Sequence, residues 1–134
     1  MEDDRTKKIR RIAESYFNAW SSQDPSSVAA FYEQDGWLSV NDDPPAIGRD
    51  SVTEVARGFM AAFPDMKVIL DDVVLKDDEA VCHWIWTGTN TGPGGTGRPV
   101  KISGFEVWQI GPDGLIASSR GHFDATEYRR QLEM

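Results

Sequence analysis

Six apolar side chains, Ile9, Ile12, Ala13, Tyr16, Phe17 and Trp20, recur at i, i+3, i+4, i+7, i+8 and i+11. That spacing gathers them on one stripe of a helix. Asp24-Pro25 stops the pattern and opens a shorter helix, with Asp24 as N-cap and Pro25 in the first turn. Val28, Phe31 and Tyr32 are the expected buried face of that second helix. Residues 36–40 then read as a short strand, and the prolines of Asn41-Asp42-Asp43-Pro44-Pro45 make the next stretch a loop. A third helix follows. Ser51-x-x-Glu54 has the form of a capping box, Val52, Val55, Ala56, Phe59, Met60 and Phe63 repeat the helical spacing, and Pro64 ends it.

Beyond Asp65 the pattern changes to β. Strands are expected at 67–76, 80–89, 100–110 and 115–123. They are joined by Asp77-Asp78-Glu79, by a glycine-rich stretch, and by the turn sequence Gly111-Pro112-Asp113-Gly114. Sequential strands with short connections predict an antiparallel meander, and helices gathered at one end of the chain predict an α+β domain. Three N-terminal helices can cover one face of a long curved sheet. The expected shape is therefore a cone, helices closing one side and strands the other, around a pocket.

Composition narrows the partners. At 134 residues the chain has the length of one domain, 1–134, with enough core to need no staples. A formal net charge of −8, without a basic stripe, argues against nucleic acid. No apolar run approaches a membrane span, residues 1–11 carry no apolar signal core, and one cysteine cannot build a disulfide framework. A cytoplasmic location is the expectation.

Several fragments carry a family likeness in order and spacing. They are Phe63-Pro64-Asp65, Gly88-Thr89-Asn90-Thr91-Gly92, Asp113-Gly114-x-Ile116, and Asp124 followed by Gln131-Leu132. Together they resemble the SnoaL-type polyketide cyclase branch of the nuclear transport factor 2-like superfamily, over nearly the whole chain. The chain departs from that pattern at Asn90, where a histidine is usual, at Arg120 or His122, where a tryptophan is common, and at Glu133, where glycine follows Gln-Leu. The resemblance implies cone-fold chemistry on a small apolar carbonyl compound, with no metal or organic cofactor. This superfamily also contains non-catalytic binders, so a ligand-binding or assembly domain is the alternative.

The resemblance also assigns roles. Asp124 matches the aspartate that acts as general acid/base in SnoaL-type cyclases, and His122, on the same strand face, could relay its proton. The competing reading of Asp124 is an N-cap for a C-terminal turn over 125–132. Glu106 falls where related ketosteroid isomerases keep a protonated oxyanion-hole acid, and Tyr16 resembles their oxyanion-hole tyrosine. Their base position falls near Val40 or Asn41, which cannot serve; Asp42 or Asp43 would replace it only if the loop folded inward. A third reading, an epoxide hydrolase-like set, would use Glu106, Arg120 and Asp124.

Strand alternation adds an independent argument for Glu106. It shares a face with Ile102, Trp108 and Ile110, so it should be dry, with its pKa raised unless Arg98, Arg120 or Arg49 pairs with it. Trp20, Phe59, Trp84, Trp86 and Trp108 are the candidate pocket walls for a small apolar or aromatic ligand. Trp84 and Trp86 share one face, which either lines the pocket or forms the outer surface of a homodimer. If they lie inside, Phe105, Val107 and Gln109 lie outside and need a partner.

Three signals are set aside. Gly92-x-Gly94-x-x-Gly97 has the letters of a dinucleotide fingerprint but precedes a strand, so it is expected to be a mobile loop or lid. Cys82 and His83 are adjacent and point apart on a strand, and no cluster has zinc spacing. Neither histidine accompanies a nucleophile elbow.

Overall fold

The computed structural model describes residues 3–133. Helix α1 spans Asp4–Trp20, and its first turn is capped by Asp3, which accepts from the Thr6 amide at 2.7 Å. Ile9, Ala13, Tyr16, Phe17 and Trp20 are buried along it as the spacing requires, each large ring contributing about 1.5–3 kcal/mol by leaving water. Helix α2 is Pro25–Ala29, with Asp24 accepting from the Ser26 amide at 3.2 Å. It is shorter than its apolar spacing suggests. Tyr32 opens strand β1, Tyr32–Val40, and is fully buried from the strand, not from the helix. The sheet claims this backbone: the Ile116 amide donates to the Phe31 carbonyl at 2.8 Å and Arg49 Nε to the Tyr32 carbonyl at 2.9 Å.

A two-residue strand, β2 (Ala46–Ile47), pairs with β1. Helix α3, Arg49–Ala62, starts two positions before Ser51. Its N-cap is Gly48, at φ +89°, and no side chain caps it. The expected capping box therefore does not form. Ser51 and Glu54 are inside the helix, where Glu54 pairs with Arg57 at 3.2 Å. A glycine N-cap costs only a few tenths of a kcal/mol, so the helix can start there.

Strands β3 (Lys67–Lys76), β4 (Glu79–Thr89), β5 (Pro99–Ile110) and β6 (Ile116–Phe123) form the antiparallel meander, followed by helix α4, Ala125–Glu133. The sheet order is β2-β1-β6-β5-β4-β3. β1 lies parallel to β6, so the sheet is mixed where a wholly antiparallel one was expected. The helical layer packs on it: α1 meets β3, α3 meets β1, and α4 meets β5. The result is an α+β cone with its core between curved sheet and helices.

The register resolves the open question of faces. Trp84, Trp86, Ile102 and Trp108 are buried on the inner face. Phe105 lies between His83 and His122 on the outer face, with ring separations of 5.7 and 5.0 Å.

The glycine-rich loop is tied down instead of hanging free. Buried Asn90 donates from Nδ2 to the Ala62 carbonyl at 3.2 Å and accepts the Thr96 amide at 2.8 Å on Oδ1. Gly92 donates its amide to the Ala62 carbonyl, and a Cβ there would collide with the Ala61 backbone. The letters of the dinucleotide fingerprint are therefore a packing solution at the end of α3.

Candidate functional site

A cavity of about 60 Å³ lies between the helices and the inner sheet face. Phe17 and Trp20 of α1, Phe59 of α3, Trp84 and Trp86 of β4 and Phe123 of β6 supply aromatic walls; Leu38, Val40, Met66 and Val68 fill between them. Its size admits a handful of non-hydrogen atoms, since one water needs about 10–15 Å³. Glu106 is the one titratable side chain among the described residues lining it.

Glu106 is 6% exposed and its surroundings are specific. Strand alternation puts Trp108 on the same face, so Trp108 Nε1 reaches Glu106 Oε1 at 3.1 Å. On β6, Ser119 stands opposite Trp108, and its hydroxyl donates to the same oxygen at 2.6 Å. From α1, the Tyr16 hydroxyl donates to it at 3.0 Å. Tyr16 in turn lies 2.8 Å from the Tyr32 hydroxyl, and with its own proton engaged it accepts from Tyr32. A chain Tyr32–Tyr16–Glu106 results.

No cation answers this carboxyl among the described residues. Arg120 pairs with Glu79 at 2.7 Å and Arg49 is spent on the Tyr32 carbonyl. Two effects then compete. Hydrogen bonds to a charged oxygen, at about 1.5–3 kcal/mol each, favour the carboxylate. Burial of an ion without a counter-ion costs several kcal/mol and favours the acid. Burial wins: it raises the Glu106 pKa, and the Ser119, Trp108 and Tyr16 donors offset it only partly. Burial, then the Glu106 charge, likewise hold Tyr16 and Tyr32 as neutral phenols well above the usual tyrosine range. Cys82, opposite Glu106 on β4, is pushed up for the same two reasons.

All three donors converge on Oε1, and none of them meets Oε2. In the acid form, which burial favours, the proton would therefore sit on Oε2 with Oε1 as the carbonyl oxygen. The carboxyl stands among the aromatic walls of the cavity. The indole N–H groups of Trp20, Trp84 and Trp86 are buried without a partner, so ring surface, not polar ends, meets the cavity. Trp20 Nε1 approaches the Tyr16 hydroxyl without closing a hydrogen bond.

Of the residues expected to act here, Glu106 and Tyr16 come together, and Trp20, Phe59, Trp84 and Trp86 line the cavity. Trp108 serves behind the wall as a donor. Asp124 and His122 do not join them. Asp124 is exposed, and its Oδ1 accepts the Thr126 and Glu127 amides at 3.0 and 3.1 Å, capping α4. His122 faces outward beside Phe105, because alternation on β6 turns Gly121 and Phe123 inward. Asp42 and Asp43 are exposed in their loop, so neither supplies the missing base. Arg120 and Asp124 lie outside the cavity, which separates the three members of an epoxide hydrolase-like set. Tyr32 and Ser119 were not anticipated. Ser119 was legible as the inward position of β6; Tyr32 was concealed by its helical spacing from Val28.

A sequence model of the SnoaL-like polyketide cyclase family matches residues 10–132. No curated protein matches the sequence. Solved structures share the fold. A putative SnoaL-like polyketide cyclase from Jannaschia sp. CCS1 superposes with a TM-score of 0.84 at 13% identity, covering 98% of this chain and 96% of its own. A hypothetical protein with a ketosteroid isomerase-like fold from Catenulispora acidiphila DSM 44928, in complex with trimethylamine, scores 0.80 at 14% identity over 92% of both chains. SalBIII, an epoxide hydrolase/cyclase-like enzyme of pyran-ring formation in salinomycin, scores 0.78 at 18% identity, covering 92% and 95%. With the family match spanning nearly the whole chain, and the cone fold beneath it, this protein belongs to the SnoaL-like polyketide cyclase family.

Proposed function

We propose that the cavity binds a small, largely apolar carbonyl compound and polarises its carbonyl through the acid proton of Glu106. The observation that carries this reading is the convergence of Tyr16, Trp108 and Ser119 on one oxygen of a buried, cation-free carboxyl group. A hydrogen bond from Oε2 to a carbonyl oxygen strengthens as the carbonyl turns into an enol, so the acid favours enolisation, with a water molecule taking the proton from the neighbouring carbon. The Tyr32–Tyr16 pair fixes the acceptor oxygen and so the direction of the proton. The guest is of the scale of the trimethylamine held by the Catenulispora neighbour.

A second reading, a binding domain without turnover, is favoured by one observation. Glu106 is the cavity's single titratable group among the described residues, which leaves the acid without a separate base. Butanone and cyclopentanone, titrated against protein in D2O, discriminate the two. Shifts of the Trp84 and Trp86 indole signals report entry. Deuterium exchange at the carbon next to the carbonyl, above the solvent rate and lost in Glu106→Gln, identifies acid/base turnover; entry without exchange identifies a binder. Indole signals unmoved by both ketones would overturn the carbonyl reading.

We also propose a homodimer formed through the outer sheet face. Trp84 and Trp86 point inward, so the outer face carries Val81, Ile85, Phe105 and Val107, with Ile69 60% and Val74 39% exposed. Apolar surface of this extent is usually covered by a partner.

A further inference from the structure

We propose that the chamber is also a site for a small alkylammonium cation, its alkyl groups against the aromatic rings and its charge against Glu106 Oε2. This inference rests on the cavity being a ligand site, and extends it to the opposite protonation state of the same carboxyl.

Three observations carry it. Six aromatic residues, Phe17, Trp20, Phe59, Trp84, Trp86 and Phe123, make up half of the twelve lining residues, and the one polar side chain among them is an acid. Neighbouring rings stand steeply to one another: Trp20–Phe59 at 71°, Phe59–Trp86 at 88°, Trp86–Phe123 at 74° and Trp84–Phe123 at 63°. Rings set so steeply to one another present a mixture of faces and edges around the space that they line. Cations are attracted to those faces, most strongly when desolvated. Third, the cavity size suits a tetramethylammonium-sized ion of five non-hydrogen atoms.

Charge supplies the rest of the argument. The chain carries a formal net charge of −8, and no Lys, Arg or His is among the described residues that line the cavity. The ionisable groups packed about Glu106 are Tyr16 from α1, Tyr32 from β1 and Cys82 from β4; all three are neutral in the physiological range. A guest cation would therefore meet no competing positive charge. It would turn a lone buried carboxyl into one half of an ion pair, with Tyr16, Trp108 and Ser119 already placed to stabilise the anion. Binding and loss of the Glu106 proton are then linked: the cation lowers the Glu106 pKa, and its affinity rises with pH.

The test is a calorimetric and NMR titration of the whole protein with tetramethylammonium chloride at pH 5, 7 and 9. tert-Butanol, of the same size and uncharged, is the control. Tetramethylammonium affinity should rise by about ten-fold or more across this range, whereas tert-butanol should show no such rise. In Glu106→Gln the rise with pH should vanish while tert-butanol binding persists. Because wild-type protein alone gives the pH series, a poorly folded variant would not remove the test. Equal pH dependence of the two guests, or ketones entering while tetramethylammonium does not, would overturn the cation site and leave the carbonyl reading standing. If ketones, tert-butanol and tetramethylammonium all fail to move the indole signals, the cavity reading itself falls.

Discussion

Glu106 shows how far a single residue can be read from its strand. Alternation alone placed it on an apolar face, and the structure adds that three donors meet on Oε1 and that no cation pairs with it. What alternation could not provide is Tyr32, whose hydroxyl completes the network from a strand that begins where a helix was expected. The raised pKa has a consequence for stability. Between the ordinary glutamate value of 4.5 and its folded value, Glu106 holds a proton that the unfolded chain has lost. Folding stability should therefore fall as pH rises through that window. Glu106→Gln keeps a neutral, isosteric acceptor, so denaturation curves should show the wild type losing ground to the variant above about pH 4.5. The opposite slope would mean an ionised Glu106. Asp124 gives a contrasting case. Asp124→Asn should leave stability and guest binding unchanged, whereas Asp124→Ala should cost about 0.5–2 kcal/mol through the lost cap, again with binding intact. A binding defect in a stable Asp124→Asn protein would return this residue to the site.

At the scale of elements, helix α1, the body of α3 and the four strands of the meander were legible because their apolar spacing is strong and their stops are Pro or turn sequences. The errors share a cause: local chemistry lost to long-range pairing. Tyr32 kept helical spacing with Val28 but was captured by the sheet, and Ser51-x-x-Glu54 kept its letters while α3 began earlier at Gly48. The parallel β1–β6 pairing joins segments far apart in the chain, which no local pattern reports. The glycine-rich loop is the clearest instance, because its composition indicates freedom while Asn90 provides the anchor. Asn90→Ala would strand the Thr96 amide and leave the Ala62 carbonyl with the Gly92 amide alone, and should destabilise the protein by about 1–3 kcal/mol. Amide exchange over residues 91–98 should accelerate together with that loss; unchanged protection in the variant would show that the backbone bonds alone hold the loop.

For the whole molecule, fold and family were within reach of the sequence, since the order of elements and several ordered fragments mark them. The chemistry was less so, because which side chains converge depends on sheet curvature and register. Asp124 and His122 are near the end of β6, yet a cap and an outward turn take them from the cavity. The outer face makes its own prediction. Sedimentation at micromolar concentration should find a dimer, and a charge placed centrally by Val107→Lys should yield monomer with its fold intact. Monomeric wild-type protein would show that the apolar outer face is tolerated uncovered.

Whether a neutral Glu106 presents its proton to the cavity is read by a carbon-13 titration of labelled glutamate side chains, with Glu106→Gln identifying the signal. The Glu106 midpoint should lie above the ordinary 4.5 and move higher still when cyclopentanone occupies the cavity, because a carbonyl guest accepts from the acid form. A midpoint at or below 4.5, unmoved by the ketone, would mean an ionised structural carboxylate and would contradict the neutral acid.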